Sequence, residues 1–346
     1  MKKLRIAVIG CGRIAVVYQG ILASLSDEID VVLAMDKVPE RAEAFAAHFP
    51  GCQSASDVTA KGFRAALQQT RPDLIHILLP HHLHAEYAIA ALEEGVHVLT
   101  EKPIAITLHD ADRMMEAEAA SGKQLGVIFQ NRYIDGVQRV RHLIASGEMG
   151  AVKGAYSLLA WHRPPSYYEC DWKGKWETEG GGVIIDQAIH SIDLVRYMTG
   201  LEVVKIQGHT CRRVLETIDV EDEADAALTL SNGAVYAFFA CNYYTSNSPI
   251  RIEIDCENAA ALLTFEHMEI NWKDGRREVI EATTANGTSG EGYWGKSHEK
   301  QIRAAYRALR EGEKIPWRPQ DAAKTLAIVN GIYESARTNS VVKLNG

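Results

Sequence analysis

Asp186 and His190 stand four residues apart in a stretch, 183–198, whose apolar spacing predicts a helix, so their side chains share one face. Imidazole titrates near neutral pH, which suits it to take the proton of a hydroxyl as hydride leaves the carbon. Asp193 follows three residues on, near the same face, so Asp186, His190 and Asp193 also form a row that could ligate a metal. Taken alone, the pair fits an ordinary half-exposed, capped helix better than a catalytic site. Upstream, residues 161–176 concentrate aromatics, namely Trp161, Tyr167, Tyr168, Trp172 and Trp176, with Arg163, Lys173 and Lys175 among them. Aromatic faces stack on sugar rings and basic groups bond hydroxyls or phosphates. The same aromatics would also serve to pack a sheet rim or a subunit contact. His81, His82 and His84 lie on a loop entering a helix, with a spacing that fits no closed zinc pattern.

A second kind of chemistry sits at the start of the chain. Gly10-Cys11-Gly12-Arg13-Ile14-Ala15 fits G-x-G-x-x-A between a predicted strand, 4–9, and a predicted helix, 14–25. Gly10 permits the tight turn, Gly12 lets the backbone approach a pyrophosphate, and small Ala15 lets the helix pack on the strand. The N–H groups at the helix start, with Arg13 and Ile14, then face the phosphates. Asp36 ends the next strand, 31–35, where a carboxylate accepts the ribose hydroxyls of an adenosine. A carboxylate there repels a 2′-phosphate, so NAD is expected over NADP, although Lys37 and Arg41 lie close by.

The elements around these residues alternate as far as residue 130. Strands at 4–9, 31–35, 74–79, 96–99 and 125–129 are separated by helices at 14–25, 40–48, 85–94 and 110–121. That alternation predicts right-handed crossovers and a parallel sheet, an α/β Rossmann domain over 1–130. The pattern then changes. A helix at 136–146, a strand at 152–161, a loop at 164–182 and the helix at 183–198 precede a strand-rich region from 203 to 280, with an Asn232-Gly233 hairpin signal. Residues 131–346 therefore read as an α+β domain built on a large, mainly antiparallel, open-faced sheet. Helices at 299–310 and 320–337 close the chain, and the last is expected to pack back on the Rossmann domain.

Thr100-Glu101-Lys102-Pro103 follows the strand at 96–99, at a strand end that faces the ligand crevice of an open parallel sheet. Together with the glycine fingerprint, Pro80-His81-His82-Leu83-His84-Ala85, the Asn131-Arg132-Tyr133 junction and Gly180-Gly181-Gly182…Asp186-x-x-x-His190, it resembles the Gfo/Idh/MocA oxidoreductases, over essentially the whole chain. The family often has Asn where this chain has His81, and Gly where it has Ala188.

The resemblance implies a secondary-alcohol dehydrogenase for a sugar, sugar derivative or inositol. His190 would be the acid/base, Asp186 would orient it or bond a neighbouring hydroxyl, and Lys102 would bond the reacting oxygen and favour a developing alkoxide. Gly10, Gly12, Arg13, Ile14, Asp36, Pro80, His84, Glu101 and Lys102 would hold the cofactor, with one or two of the histidines bordering the nicotinamide pocket. Arg132, Arg163, Tyr167, Trp172, Asp186 and His190 would meet the substrate. Hydride transfer to nicotinamide needs no metal, so none is expected. The Ser166-Tyr167-Tyr168 and Trp172–Trp176 segments are similar to the sugar-handling branches, some of which act on nucleotide sugars. Two other readings stay open: a glycosidase that oxidises and re-reduces one carbon with a retained NAD, and a non-enzymatic nucleotide sensor. A sensor need not keep Lys102, Asp186 and His190 together. Biliverdin-reductase-like or dihydrodiol chemistry does not need the Asp-x-x-x-His pair.

Composition bounds the partners. The 346 residues are 47% hydrophobic and 24% charged, with a formal net charge of −8. That balance suits two globular domains and leaves no excess of cations for nucleic acid. The apolar run after Lys2-Lys3 ends at Gly10, too short for a signal peptide, and no stretch is long enough to span a bilayer. The six cysteines form no C-x-x-C pair and read as reduced thiols. A cytoplasmic protein is expected, and the family resemblance further implies a homodimer or homotetramer joined through the C-terminal sheet.

Overall fold

The computed structural model describes residues 3–264, 267–281 and 297–344. Contacts divide the chain into two compact units, Met1–Ile128 with Glu299–Ala323, and Phe129–His298 with Lys324–Gly346.

The first unit is a six-stranded parallel sheet: β1 (Leu4–Ile9), β2 (Ile29–Met35), β3 (Gln53–Ala55), β4 (Leu74–Ile77), β5 (His97–Glu101) and β6 (Leu125–Ile128), in the order β3-β2-β1-β4-β5-β6. Its inner strands are mainly apolar because helices cover both faces of such a sheet. Ile9 pairs with both Met35 and Ile77, so β1, β2 and β4 end level with one another. The order reverses between β1 and β4, where open α/β sheets bind their ligands. The crossover helices are α1 (Ala15–Ser24), α2 (Pro39–Ala46), α3 (Ala60–Thr70), α4 (His84–Glu93) and α5 (Leu108–Ser121). Thr59 and Thr107 cap α3 and α5 by accepting the N–H of Gly62 and of Asp110.

β3 and α3 had no counterpart in the sequence reading. The linear division also put residues 299–323 in the second domain, whereas their contacts place them in the first unit. The reason is the buried face of α8 (Ser297–Glu311), where Ile302, Ala305 and Tyr306 are wholly enclosed. Burying one such large side chain stabilises by about 1.5–3 kcal/mol. The Tyr306 hydroxyl lies 2.6 Å from Nε2 of buried His76 on β4. Gln124 then clasps the chain beyond α8, donating to Glu313 O at 2.9 Å and accepting from Ile315 N at 2.7 Å. α9 (Pro319–Thr338) begins in this unit, and from Lys324 it belongs to the second.

The second unit is built on a nine-stranded sheet. Its strands are β7 (Val152–Ala160), β8 (Val203–Cys211), β9 (Glu223–Leu230), β10 (Val235–Cys241), β11 (Arg251–Cys256), β12 (Ala259–Thr264), β13 (His267–Trp272), β14 (Arg277–Ile280) and β15 (Val342–Lys343). All pairs are antiparallel except β7 with β10. Gly233, at φ +88°, closes the β9–β10 hairpin where Asn232-Gly233 predicts it. Along β9 to β13 burial alternates. Leu228, Phe238, Ile254, Leu263 and Ile270 face inward, and α6 (Asp135–Ala145) and α7 (Ile189–Thr199) pack on this sheet. Leu158 and Val235 are exposed.

Candidate active site

Gly10, Gly12 and Asp36 lie together at the ends of β1 and β2. Gly10 has φ +93°, and a Cβ on it would sit 2.5 Å from Leu78 O, so only glycine lets the turn after β1 lie against the turn after β4. Around Gly12 the opposite holds, since a Cβ there would meet nothing within 4 Å. The backbone at Gly12 is therefore approachable from outside, as a pyrophosphate requires. Asp36 is buried, and its carboxylate accepts the N–H of Cys11 at 2.8 Å and of Val38 at 2.9 Å, which pins it beside the glycine turn. Burial and the Asp36 charge push the Cys11 thiol up to about 12. Ile14 is the N-cap of α1 and Arg13 is exposed. This cradle fits a dinucleotide.

Glu101, Lys102 and Pro103 are held from two sides. The Tyr18 hydroxyl donates to Glu101 Oε1 at 2.6 Å, and burial first, then the Glu101 charge, raise the Tyr18 pKa well above its ordinary value, so the donor keeps its proton. His84 is wholly enclosed, with Nδ1 2.7 Å from Pro103 O and Nε2 2.8 Å from Leu79 O. Burial lowers its pKa, and a neutral ring has one N–H, which serves one of the two carbonyls. His84 thus ties the turn after β4, which Pro80 opens as N-cap of a short 3₁₀ turn, to the Lys102-Pro103 segment. It was expected to border a pocket; it supports the cradle from inside.

In the second unit, the predicted helix at 183–198 is not continuous. Residues Ile184–Ala188 form a π turn that leads into α7. Asp186 lies in the wide turn and His190 in the first turn of α7. Such turns often mark functional sites. Asp186 Oδ2 accepts from the Tyr167 hydroxyl and from Lys173 Nζ, both at 2.7 Å. The Arg163 guanidinium stacks over Trp161 and Tyr167, with centroids at 4.5 Å and 5.1 Å, and donates to Asn247 and to His162 O. The structure therefore brings Arg163, Tyr167, Trp172 and Asp186 into one cluster around Lys173. Trp161 and Tyr168 are buried packing residues, Tyr168 against Ile218 and Val220.

Arg132 and Asp193 belong elsewhere. Both are buried, and Arg132 Nε donates to Asp193 Oδ2 at 2.7 Å while a second nitrogen reaches Oδ1 at 2.5 Å. Thr325 Oγ1 adds a bond to the same carboxylate at 3.0 Å. Asp193 is thus turned away from any metal row with Asp186, and Arg132, expected at the substrate, is engaged inside the domain. Behind it the ring of His190 meets Phe129 edge-on, with centroids 5.9 Å apart.

The glycine run before the π turn also has a physical cause. The buried Glu221 carboxylate accepts the N–H of Gly182 at 2.8 Å and of Ile184 at 3.0 Å, so it caps the segment that carries Asp186. A Cβ on Gly182 would collide with Glu221 O, and one on Gly181, at φ +145°, with the Tyr333 hydroxyl. The sequence reading missed Glu221, Tyr333 and Tyr18, which act across long separations that leave no local pattern, and Glu179, which acts within its own irregular loop on Lys173 and Gly174. Burial pushes Glu221 from 4.5 up to about 7. The folded protein therefore holds a proton there that the unfolded chain has released, and this contribution is lost as pH rises from about 4.5 through about 7. In Glu221→Gln the decline in melting temperature over that window should be shallower than in the wild type. Parallel profiles would refute the assignment.

Three comparisons bear on this architecture. Residues 4–129 match the family described as "Oxidoreductase family, NAD-binding Rossmann fold" and residues 137–262 match the "GFO/IDH/MocA C-terminal domain". The D-glucoside 3-dehydrogenase of Escherichia coli K12 is 27% identical over 252 residues, covering 67% of this chain and 68% of that protein. The levoglucosan dehydrogenase of Pseudarthrobacter phenanthrenivorans is 27% identical, covering 88% of this chain and 87% of that one. The crystal structure of the WlbA dehydrogenase from Bordetella pertussis, in complex with NADH and UDP-GlcNAcA, is 27% identical, covers both chains completely and superposes with a TM-score of 0.84. The chain belongs to the GFO/IDH/MocA oxidoreductase family, with an NAD-binding Rossmann domain followed by the family's C-terminal domain.

Proposed function

We propose that this protein oxidises a secondary hydroxyl of a sugar, sugar derivative or inositol, or reduces the matching ketone, using NAD. The observation that carries this reading is the Asp186–His190 pair, one member in a π turn capped by Glu221 and the other at the start of α7, in a chain with an NAD-binding domain. When bound, NAD supplies the hydride acceptor. His190 takes the hydroxyl proton at a ring nitrogen, Asp186 orients it or holds a neighbouring hydroxyl, and Lys102 bonds the reacting oxygen. Asp36 accepts the ribose hydroxyls, and the Gly12 backbone and the start of α1 receive the pyrophosphate. Tyr167 and Trp172 border the substrate, and Arg163 shapes that border through its stack on Trp161.

The sugar-acting relatives support the substrate class. Among the described residues no helix is long and apolar enough to cross a membrane. With six cysteines outside any disulfide, we place the enzyme in the cytoplasm. The exposed apolar residues Leu158 and Val235 on the sheet suit a homodimer or homotetramer.

The test is absorbance of reduced nicotinamide, with NAD or NADP, against inositols, aldoses, glycosides and nucleotide sugars, with light scattering on the same sample for the mass. NAD-dependent turnover of one class, abolished in Lys102→Ala, is expected. Glycoside cleavage with retained NAD, or NAD binding with no turnover of any class, would overturn the dehydrogenase reading.

A further inference from the structure

Lys173 has the surroundings of a working group. Its Nζ lies 2.7 Å from Asp186 Oδ2, 2.9 Å from the Tyr167 oxygen and 3.3 Å from Glu179 Oε1. An ammonium carries three hydrogens, and three oxygens stand ready to receive them. The ring faces of Tyr167 and Trp172 flank the cation at 4.4 Å and 4.6 Å. The side chains of Lys173, Asp186 and Glu179 are 12%, 10% and 1% exposed. A pair this dry is not a surface ion pair: removing one partner leaves the other charge buried and uncompensated.

Two features aim that charge at Asp186. The Tyr167 hydroxyl and Lys173 bond the same oxygen, Oδ2, which fixes the rotation of the carboxylate. The groups facing Lys173 are Asp186, Tyr167 and Glu179, with Tyr168 and Tyr333 beyond them. Burial, with the Asp186 charge next, pushes Glu179 up to about 8. Asp186 and Glu179 therefore compete for the one ammonium, and Asp186 is the nearer of the two.

We propose that Lys173 is a positioning residue for the reaction, its ammonium fixing the Asp186 carboxylate in orientation and in the ionised form four residues from His190. This rests on the reading of Asp186 and His190 as the catalytic pair. A lysine that only staples the 164–182 loop to the helix would, once the variant had folded, leave kcat and the acid limb of kcat/KM unchanged.

The experiment compares wild type, Lys173→Met, Lys173→Gln and Lys173→Arg. The Asp186 carboxyl is titrated by infrared absorption of protein carrying isotope-labelled aspartate, assigned by the band missing from Asp186→Asn. This readout needs no substrate. Expected is a rise of about one pH unit or more in the Met and Gln variants, a tenfold change in proton affinity, with Arg restoring the wild-type value. In turnover, the acid limb of kcat/KM moves by the same amount, kcat falls and KM for NAD is unchanged. A folded Met variant whose Asp186 band titrates as in wild type overturns the proposal. Where Met does not fold, Gln, which keeps a donor and loses the charge, decides in the same way. An enzyme with no turnover of any polyol defeats the functional reading, and the infrared titration still judges Lys173.

Discussion

In His190→Ala, kcat/KM for the oxidised alcohol is expected to fall by about 10²–10⁴-fold, the usual worth of a positioned acid/base. The loss arises in the proton step: no other titratable side chain shares the first turn of α7, and Asp186 is already bonded to Tyr167 and Lys173. The fold should survive, because the ring is only half-buried and its edge contact with Phe129 is one aromatic pair, worth about 0.5–1.5 kcal/mol. NAD affinity, measured by calorimetry, should be unchanged, because the glycine turn and Asp36 are untouched. Steady-state kinetics with a saturating polyol decide the matter. A loss smaller than about tenfold in a folded variant would remove His190 from the chemistry.

Arg132→Leu is expected to cost about 3–5 kcal/mol of stability, the penalty for leaving a buried charge without its partner. Asp193 would keep Thr325 as a donor, yet it would lose both guanidinium bonds in a site where its side chain is 1% exposed. The Arg132 plane also lies against Phe129 and Tyr197, at 5.3 Å and 4.9 Å, so some packing goes as well. Replacing both members, Arg132→Leu with Asp193→Leu, should recover much of the loss, because two apolar groups leave no orphaned charge. Urea unfolding of the two single variants and the double variant reads this directly. A single variant within about 1 kcal/mol of wild type would mean that the pair is solvated in solution.

The parallel sheet was legible because its inner strands, such as Leu4–Ile9 and Leu74–Ile77, are largely buried and read as mainly apolar runs, interrupted only by Arg5 and His76. β3 was not, because Gln53-Ser54-Ala55 is a short, exposed edge with no apolar signature. The periodicity of 299–310 revealed a helix with one buried face, but periodicity does not say what covers that face. The π turn was invisible for a similar reason, since a local change of hydrogen bonding leaves the pattern of Ile184, Ile185 and Ile189 almost unchanged. At the candidate site, Tyr167, Trp172 and Asp186 were named through the family resemblance, since their types and spacing alone fit packing or an ordinary helix as well. Arg132 was assigned to the substrate with the Asn131-Arg132-Tyr133 junction of the family resemblance, and only the three-dimensional partner, Asp193, shows it engaged inside the domain.

The return of residues 299–323 to the first unit also sets an order of events at the ribosome. Domains usually fold N-terminal first, as the chain emerges at about 5–20 residues per second. Here β1 to β6 emerge early, yet His76 must wait for Tyr306, and Gln124 for Ile315, until nearly the whole polypeptide has been made. The nascent Rossmann sheet therefore spends the synthesis of β7 to β14 with the surface meant for α8 uncovered. A fragment ending at Ile128 represents that waiting state, and it should bind apolar dyes and chaperones in a way the full chain does not.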